Sequence, residues 1–169
     1  HNDFSALFRT VAEDPQSYLR TDPATFTSAI GRAFYTQILP SNSVNLGWSA
    51  WSILWLSRVQ MPVGDHIAVA LSGDARVRDS YARQAASDWR EFVAFRGREL
   101  TPGGRLVVLS LGLGDDGVFG YRPLLAALTD TLAELRAEGF ISTDEVHRMS
   151  LPIVGRRAAD FTAPSAPSG

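Results

Sequence analysis

Trp48, Trp51 and Trp55, three of the chain's four tryptophans, fall within eight positions at spacings of three and four. Large aromatics dominate buried area, so a stripe of core residues is the plain explanation. An indole N–H, however, is a donor only and needs an acceptor wherever water is excluded. A carboxylate ligand would supply one. Other residue types that carry chemistry are sparse. The chain has no cysteine, which excludes thiol nucleophiles, zinc ribbons and disulfide frameworks. Every basic residue is Arg, so no lysine is available for a Schiff base or a phosphate loop. His1, His66 and His147 lack metal-ligand spacing, and no metal site is expected. Gly47-Trp48-Ser49-Ala50-Trp51 lacks the second glycine of a hydrolase elbow. Gly112-Leu113-Gly114-Asp115-Asp116-Gly117 matches the G-x-G-x-x-G pattern, but two carboxylates occupy the approach a pyrophosphate would need. A surface loop is the expected reading there.

The elements that must position these residues can be read from composition and periodicity. With 169 residues, 45% hydrophobic and 20% charged, the chain can build one soluble globular domain, burying roughly 70% of its unfolded surface. Neither disorder nor a membrane span fits. A net charge of -2 leaves no footprint for nucleic acid. The first residues do not resemble a targeting sequence, so a cytoplasmic location is expected. Residue 1 is not Met, and the end from Thr162 is small, polar and proline-bearing, which suggests a piece of a longer protein.

Phe4, Leu7, Phe8 and Val11 predict a first helix capped by Asn2 or Asp3, followed by a polar stretch to Pro23. Residues 26–39 predict a loop entering a short helix that stops at Pro40. The tryptophan segment predicts a short strand ending near Gly47, then a helix through Ser57 with the three indoles on one face. Asp74 to Leu100 predicts a long amphipathic helix, with Val77, Tyr81, Ala85, Trp89, Phe92 and Phe95 inward and Arg76, Arg78, Arg83, Arg90 and Arg98 elsewhere. A turn at 101–104 leads to a buried parallel strand from Arg105 to Leu111. After the glycine loop, Pro123 to Glu138 predicts a helix with Leu124, Leu125, Leu128, Leu132 and Leu135 inward and Gly139 closing it. Ser142-Thr143-Asp144-Glu145 is a capping box for a last short helix.

Several of these segments, in order, resemble the plant-type SABATH carboxyl methyltransferases, which methylate small acids such as salicylate, benzoate and jasmonate as well as xanthine alkaloids. Asn2-Asp3-Phe4-Ser5-Ala6-Leu7-Phe8 is similar to N-D-F-N-x-L-F, and Arg32 to Pro40 to G-S-F-Y-x-R-L-F-P. Trp48 to Val59 resembles H-S-S-Y-S-L-x-W-L-S-x-V. Glu99-Leu100 with Gly103 to Val107 follows E-L-x-x-G-G-x-M-V, and Glu138 to Ile141 with Leu151-Pro152 follows E-G-x-I and a later proline. The resemblance implies an α/β fold, part of a Rossmann-like class I methyltransferase sheet with a mainly helical cap. It implies S-adenosylmethionine as cofactor, with Phe34 against the adenine and Ala33 where the family has a serine beside the same ring. Trp55 matches the tryptophan whose indole N–H holds the substrate carboxylate. Trp51 and Leu54 match residues lining the acyl pocket, and Trp48 replaces a histidine. Leu124 and Leu125 fall about where the family has an aromatic wall.

On this reading residues 1–111 are the central part of the α/β core, 112–160 a helical cap segment, and 161–169 a flexible tail or truncation point. The missing N- and C-terminal parts would belong to the same protein. Leucines in place of an aromatic wall favour a lipophilic acid such as a medium-chain fatty acid over a planar aromatic one. The partner is then a small-molecule carboxylic acid, with a homodimer as an open option. The competing reading is a non-catalytic α/β domain that binds a hydrophobic ligand or partner through the Trp48, Trp51 and Trp55 face.

Overall fold

A computed structural model describes residues 3–22 and 24–165. His1, the alternative cap Asn2, Pro23 and residues 166–169 of the expected tail lie outside the described residues. The chain divides into two compact units, residues 1–34 and 35–169.

In the first unit, α1 (Phe4–Glu13) starts where expected, with Asp3 as the cap: its carboxylate accepts from the Ala6 N–H at 2.9 Å. The polar stretch that follows holds one further turn, α2 (Tyr18–Thr21), capped by Ser17, whose hydroxyl also donates to the Val11 carbonyl. Phe4, Leu7 and Phe8 all remain substantially exposed.

The second unit is organised around a parallel pair, β1 (Val44–Ala50) and β2 (Leu100–Leu109), joined by the helix α3 (Ala75–Glu99). Such a crossover is what a parallel pair requires. Asp74 caps α3, accepting from the Arg76 N–H at 2.8 Å. Val77, Tyr81, Ala85, Trp89 and Phe92 are buried as the periodicity predicts, and Phe95 is half-buried. The same helix also buries Gln84, Asp88, Arg96 and Glu99. Buried charge requires partners, and these four side chains tie down the loops.

Three local expectations fail, each because tertiary partners claim the backbone. Residues 26–39 contain no helix: the Ile38 and Leu39 N–H groups donate to the Glu99 carboxylate at 2.6 and 3.1 Å, and the Thr36 carbonyl accepts from Arg96 at 2.8 Å. Residues 48–57 contain no helix either, so the three indoles share no helical face. β1 runs on to Ala50, pairing Trp48 with Val107 and Ala50 with Leu109, and the chain beyond it bonds to 152–154 through Leu56 N to Pro152 O at 2.7 Å and Val154 N to Leu54 O at 2.9 Å. The expected turn at 101–104 is instead a bulge inside β2: pairing steps from Val44–Leu100 to Leu46–Arg105. β2 also ends at Leu109 rather than Leu111.

Helix α4 (Arg122–Ala137) closes as predicted, with Gly139 at φ 80° and the Phe140 N–H returning to the Leu135 carbonyl at 3.0 Å. Only Leu125 among its residues is fully buried; Leu124 and Leu128 face outward, against expectation. The capping box of α5 (Thr143–Arg148) is present. Beyond it, α6 (Ala158–Thr162) sets Phe161 edge-on against Trp89, with ring centroids 5.2 Å apart.

Burial alone would raise the Glu99 pKa, but the Arg96 guanidinium and the Leu39 and Ile38 N–H groups outweigh it and hold it below the usual carboxylate range. A folded-state pKa below the unfolded value contributes stability that is present at neutral pH and lost as pH falls through the folded pKa. Thermal melts between about pH 5 and 3 should therefore fall more steeply for the wild type than for Glu99→Gln, itself less stable at pH 7. Parallel curves would show that Glu99 carries no such linkage.

Candidate active site at the carboxyl end of the parallel pair

In open α/β sheets ligands bind beyond the carboxyl ends of parallel strands. Trp51 is the first residue past β1 and sits at φ 59°, a left-handed conformation that costs a bulky residue about 1–2 kcal/mol. Its N–H donates to the Leu109 carbonyl at 2.9 Å, extending the ladder by one bond and holding the strained residue in place. Strain stored in this way at a strand end is a common mark of a functional site. The serines on either side are joined, Ser49 Oγ to Ser52 Oγ at 2.6 Å.

The four tryptophans separate into two kinds. Trp89 is 7% exposed, and its indole N–H donates to the Phe161 carbonyl at 3.1 Å. Trp48, Trp51 and Trp55 are 67%, 50% and 45% exposed, and no described residue accepts from their indole N–H groups. Trp55 is nevertheless held firmly by its backbone, which bridges to Ile153 and donates to the Ser52 carbonyl at 3.0 Å. A fixed main chain with a free, half-exposed donor is suited to meeting an anionic acceptor.

Leu54 and Leu125, placed by sequence in the acyl pocket, are 2% and 3% exposed and belong to one core cluster with Ile67, Ala68, Phe119 and Ile153. Tyr121 packs against that cluster and tilts over Trp51, with ring centroids 6.4 Å apart, while Phe119 meets Tyr121 edge-on at 5.7 Å. The structure thus brings Trp51, Leu54, Leu125 and Tyr121 together. Trp48 projects from β1, and Leu124 lies exposed on α4. Tyr121 is the residue that sequence reading missed; its only signal was an aromatic just before Arg122-Pro123 at a helix start. In the first unit, Ala33 is exposed and Phe34 is half-buried within a turn.

The glycine loop takes the structural reading. Leu113 bridges to Phe119, and the Asp116 carboxylate accepts from the Val118 N–H at 2.9 Å. A Cβ at Gly112 would come 2.8 Å from the Arg156 carbonyl, and one at Gly114 would come 2.7 Å from the Asp116 carboxylate. These glycines admit the protein's own atoms. Among the described residues no group of His, Asp and Glu could hold a metal, and no helix is long and apolar enough to cross a membrane. Burial lowers the His66 pKa, and its Nδ1 accepts from the Ala68 N–H at 3.3 Å. A cavity of about 490 Å³ lies along α3 and residues 154–164, lined by Ala82, Ala86, Trp89 and Arg157 among others; none of the predicted site residues borders it.

A parallel βαβ unit with aromatic donors at its strand ends defines part of a Rossmann-like α/β fold. A family described as SAM dependent carboxyl methyltransferase matches residues 1–164, and the chain belongs to that family. It is 28% identical over 160 residues to benzoic acid/salicylic acid carboxyl methyltransferase 3 of Petunia hybrida, a match that covers 89% of this chain and 45% of the relative. It is 27% identical over 158 residues to salicylate carboxymethyltransferase of Clarkia breweri, covering 89% and 42%. Among solved structures, loganic acid methyltransferase with SAH superposes with a TM-score of 0.76 at 25% identity, over 97% of this chain and 48% of that one. The chain therefore spans less than half the length of these relatives.

Proposed function

We propose that the protein carrying this chain transfers a methyl group from S-adenosylmethionine to a lipophilic carboxylic acid, giving the methyl ester. The observation that supports it is the contrast among the tryptophans: the buried indole of Trp89 is satisfied within the protein, while Trp55 is half-exposed, its N–H has no acceptor among the described residues, and its backbone is held just beyond the carboxyl end of β1. When bound, S-adenosylmethionine supplies an electrophilic sulfonium methyl group. Phe34 and the backbone beside Ala33 would hold its adenine. Trp55 would donate to one carboxylate oxygen, leaving the other to attack. A carboxylic acid with a pKa of about 4–5 is already ionised at neutral pH, so the chain need supply no general base. Its residues act by orientation and by excluding water, for which Trp48, Trp51 and Tyr121 provide apolar surface. Residues 1–111 serve as core and 112–160 as cap in this reading.

Within that class we favour a medium-chain fatty acid, because Leu124 and Leu125 stand about where the family resemblance puts an aromatic wall, which leaves a slot compatible with an aliphatic chain. A second reading, a planar aromatic acid, is favoured by the Trp51–Tyr121 pair, which supplies an aromatic wall at a position other than Leu124 and Leu125. Radiolabelled methyl transfer to a panel of alkyl and benzoate-type acids decides between them. Preference for alkyl acids supports the first reading, and preference for benzoates the second. If the folded, cofactor-binding protein esterifies neither, the methyltransferase proposal fails.

A further inference from the structure

We propose that Tyr35, Asp88 and Arg156 are positioning residues that frame the backbone of residues 53–57 and thereby aim the Trp55 indole; this rests on the carboxyl methyltransferase reading. All three are buried, yet none belongs to the aromatic surface of the site. Each reaches a main-chain or hydroxyl group within two residues of Trp55. The Tyr35 hydroxyl donates to the Trp55 carbonyl itself. Arg156 donates through Nη1 to the Ile53 carbonyl, and through Nη2 to the Ala85 carbonyl of α3 at 2.7 Å. Asp88, 1% exposed, accepts from the Ser57 N–H at 2.8 Å and from the Ser57 hydroxyl at 2.7 Å. Gln84, one turn earlier on α3, donates to Asp88 at 2.7 Å and accepts from Arg58 and Gln60 at 3.1 and 2.7 Å.

The three members are also coupled to one another. The charges of Asp88 and Arg156 both act on the Tyr35 hydroxyl, in opposite senses. Burial and the nearby charge of Asp88 push the Tyr35 hydroxyl up to about 12, which keeps it a donor through the physiological range. A loop held only for stability is more cheaply held by apolar packing, since buried charges bring a large desolvation cost. What this frame adds is direction. The Trp55 side chain is half-exposed, so the carbonyls and N–H groups held on either side of it help to set where its indole points. A displacement on the order of 1 Å at a reacting group can cost about a hundredfold in rate.

The test uses Tyr35→Phe and Ser57→Ala in the protein expressed from its complete coding sequence. Ser57 is exposed, so its variant keeps the fold even if Tyr35→Phe does not. Both should lower kcat/KM for the acid about tenfold while leaving KM for S-adenosylmethionine unchanged. In ¹⁵N-indole spectra, with the Trp55 signal assigned by its loss in Trp55→Phe, both variants should shift or broaden the Trp55 resonance and leave that of Trp89 in place. An unmoved Trp55 resonance together with unchanged acid kinetics overturns the frame. If the wild type esterifies no acid, the function fails, while the indole spectra still decide whether the frame orients Trp55.

Discussion

Replacing Trp55 by Phe should leave the fold intact and cost the protein most of its activity toward the acid. In the proposed function the indole N–H donates to the substrate carboxylate, and a hydrogen bond to a charged group contributes about 1.5–3 kcal/mol. That converts to a loss of roughly 10- to 150-fold in kcat/KM for the acid. KM should rise because ground-state binding weakens, and kcat should fall because the attacking oxygen is less well aligned. The fold should survive because the ring is half-exposed and its N–H meets no described protein acceptor, leaving the melting temperature within about 3 °C of wild type. Trp89→Phe is the matched control. It breaks the buried bond to the Phe161 carbonyl, so it should lower the melting temperature with little effect on KM for the acid. Equal kinetics for Trp55→Phe and wild type would remove Trp55 from the site.

The contrast between these tryptophans also shows where sequence reading reached and where it stopped. Long-period patterns were legible: α3 and α4 appear where 25 and 16 residues of periodicity predict them, and α4 closes on the expected Gly139. The parallel strand at 105 was legible from its Val and Leu run, but its burial was not borne out: no residue of β2 is fully buried, and Val107 and Leu109 are 37% and 39% exposed. Spacings of three and four at Trp48, Trp51 and Trp55 pointed to a helix, but here local periodicity lost to long-range bonding. β2 claims the backbone up to Trp51, and Pro152, Val154, Arg156 and Tyr35 claim residues 53–56. None of those partners lies nearby in sequence. The same holds for Glu99, whose bonds to Ile38 and Leu39 span some 60 positions and hold in a non-helical path a segment expected to be helical. The site residues were named through resemblance to a family, whereas Tyr121 emerged only when Trp51 and α4 were seen together. Its role depends on a left-handed backbone at Trp51 that no residue type announces.

Arg156→Met should be the most destabilising single change at this site, and for a reason opposite to that of Trp55. Arg156 is 3% exposed and its guanidinium bonds to the carbonyls of Ile53 and Ala85. Burial lowers its pKa, with Tyr35 and Asp88 opposing the shift, yet an arginine stays charged throughout the accessible pH range. Removing one partner of a buried charged network leaves the rest uncompensated, at a cost of about 3–5 kcal/mol. Asp88 would lose the buried positive charge of Arg156 and the Ile53 carbonyl its donor. For a domain of this size the melting temperature should drop by roughly 10 °C. Arg156→Lys should recover only part of that, because one ammonium cannot reproduce a planar fork reaching carbonyls on two different elements. Thermal unfolding of the two variants beside wild type tests the argument. A fall of less than about 3 °C for Arg156→Met would mean that apolar packing replaces the guanidinium without loss. The 53–57 segment would then have to be held chiefly by its bonds to Asp88, Pro152 and Val154.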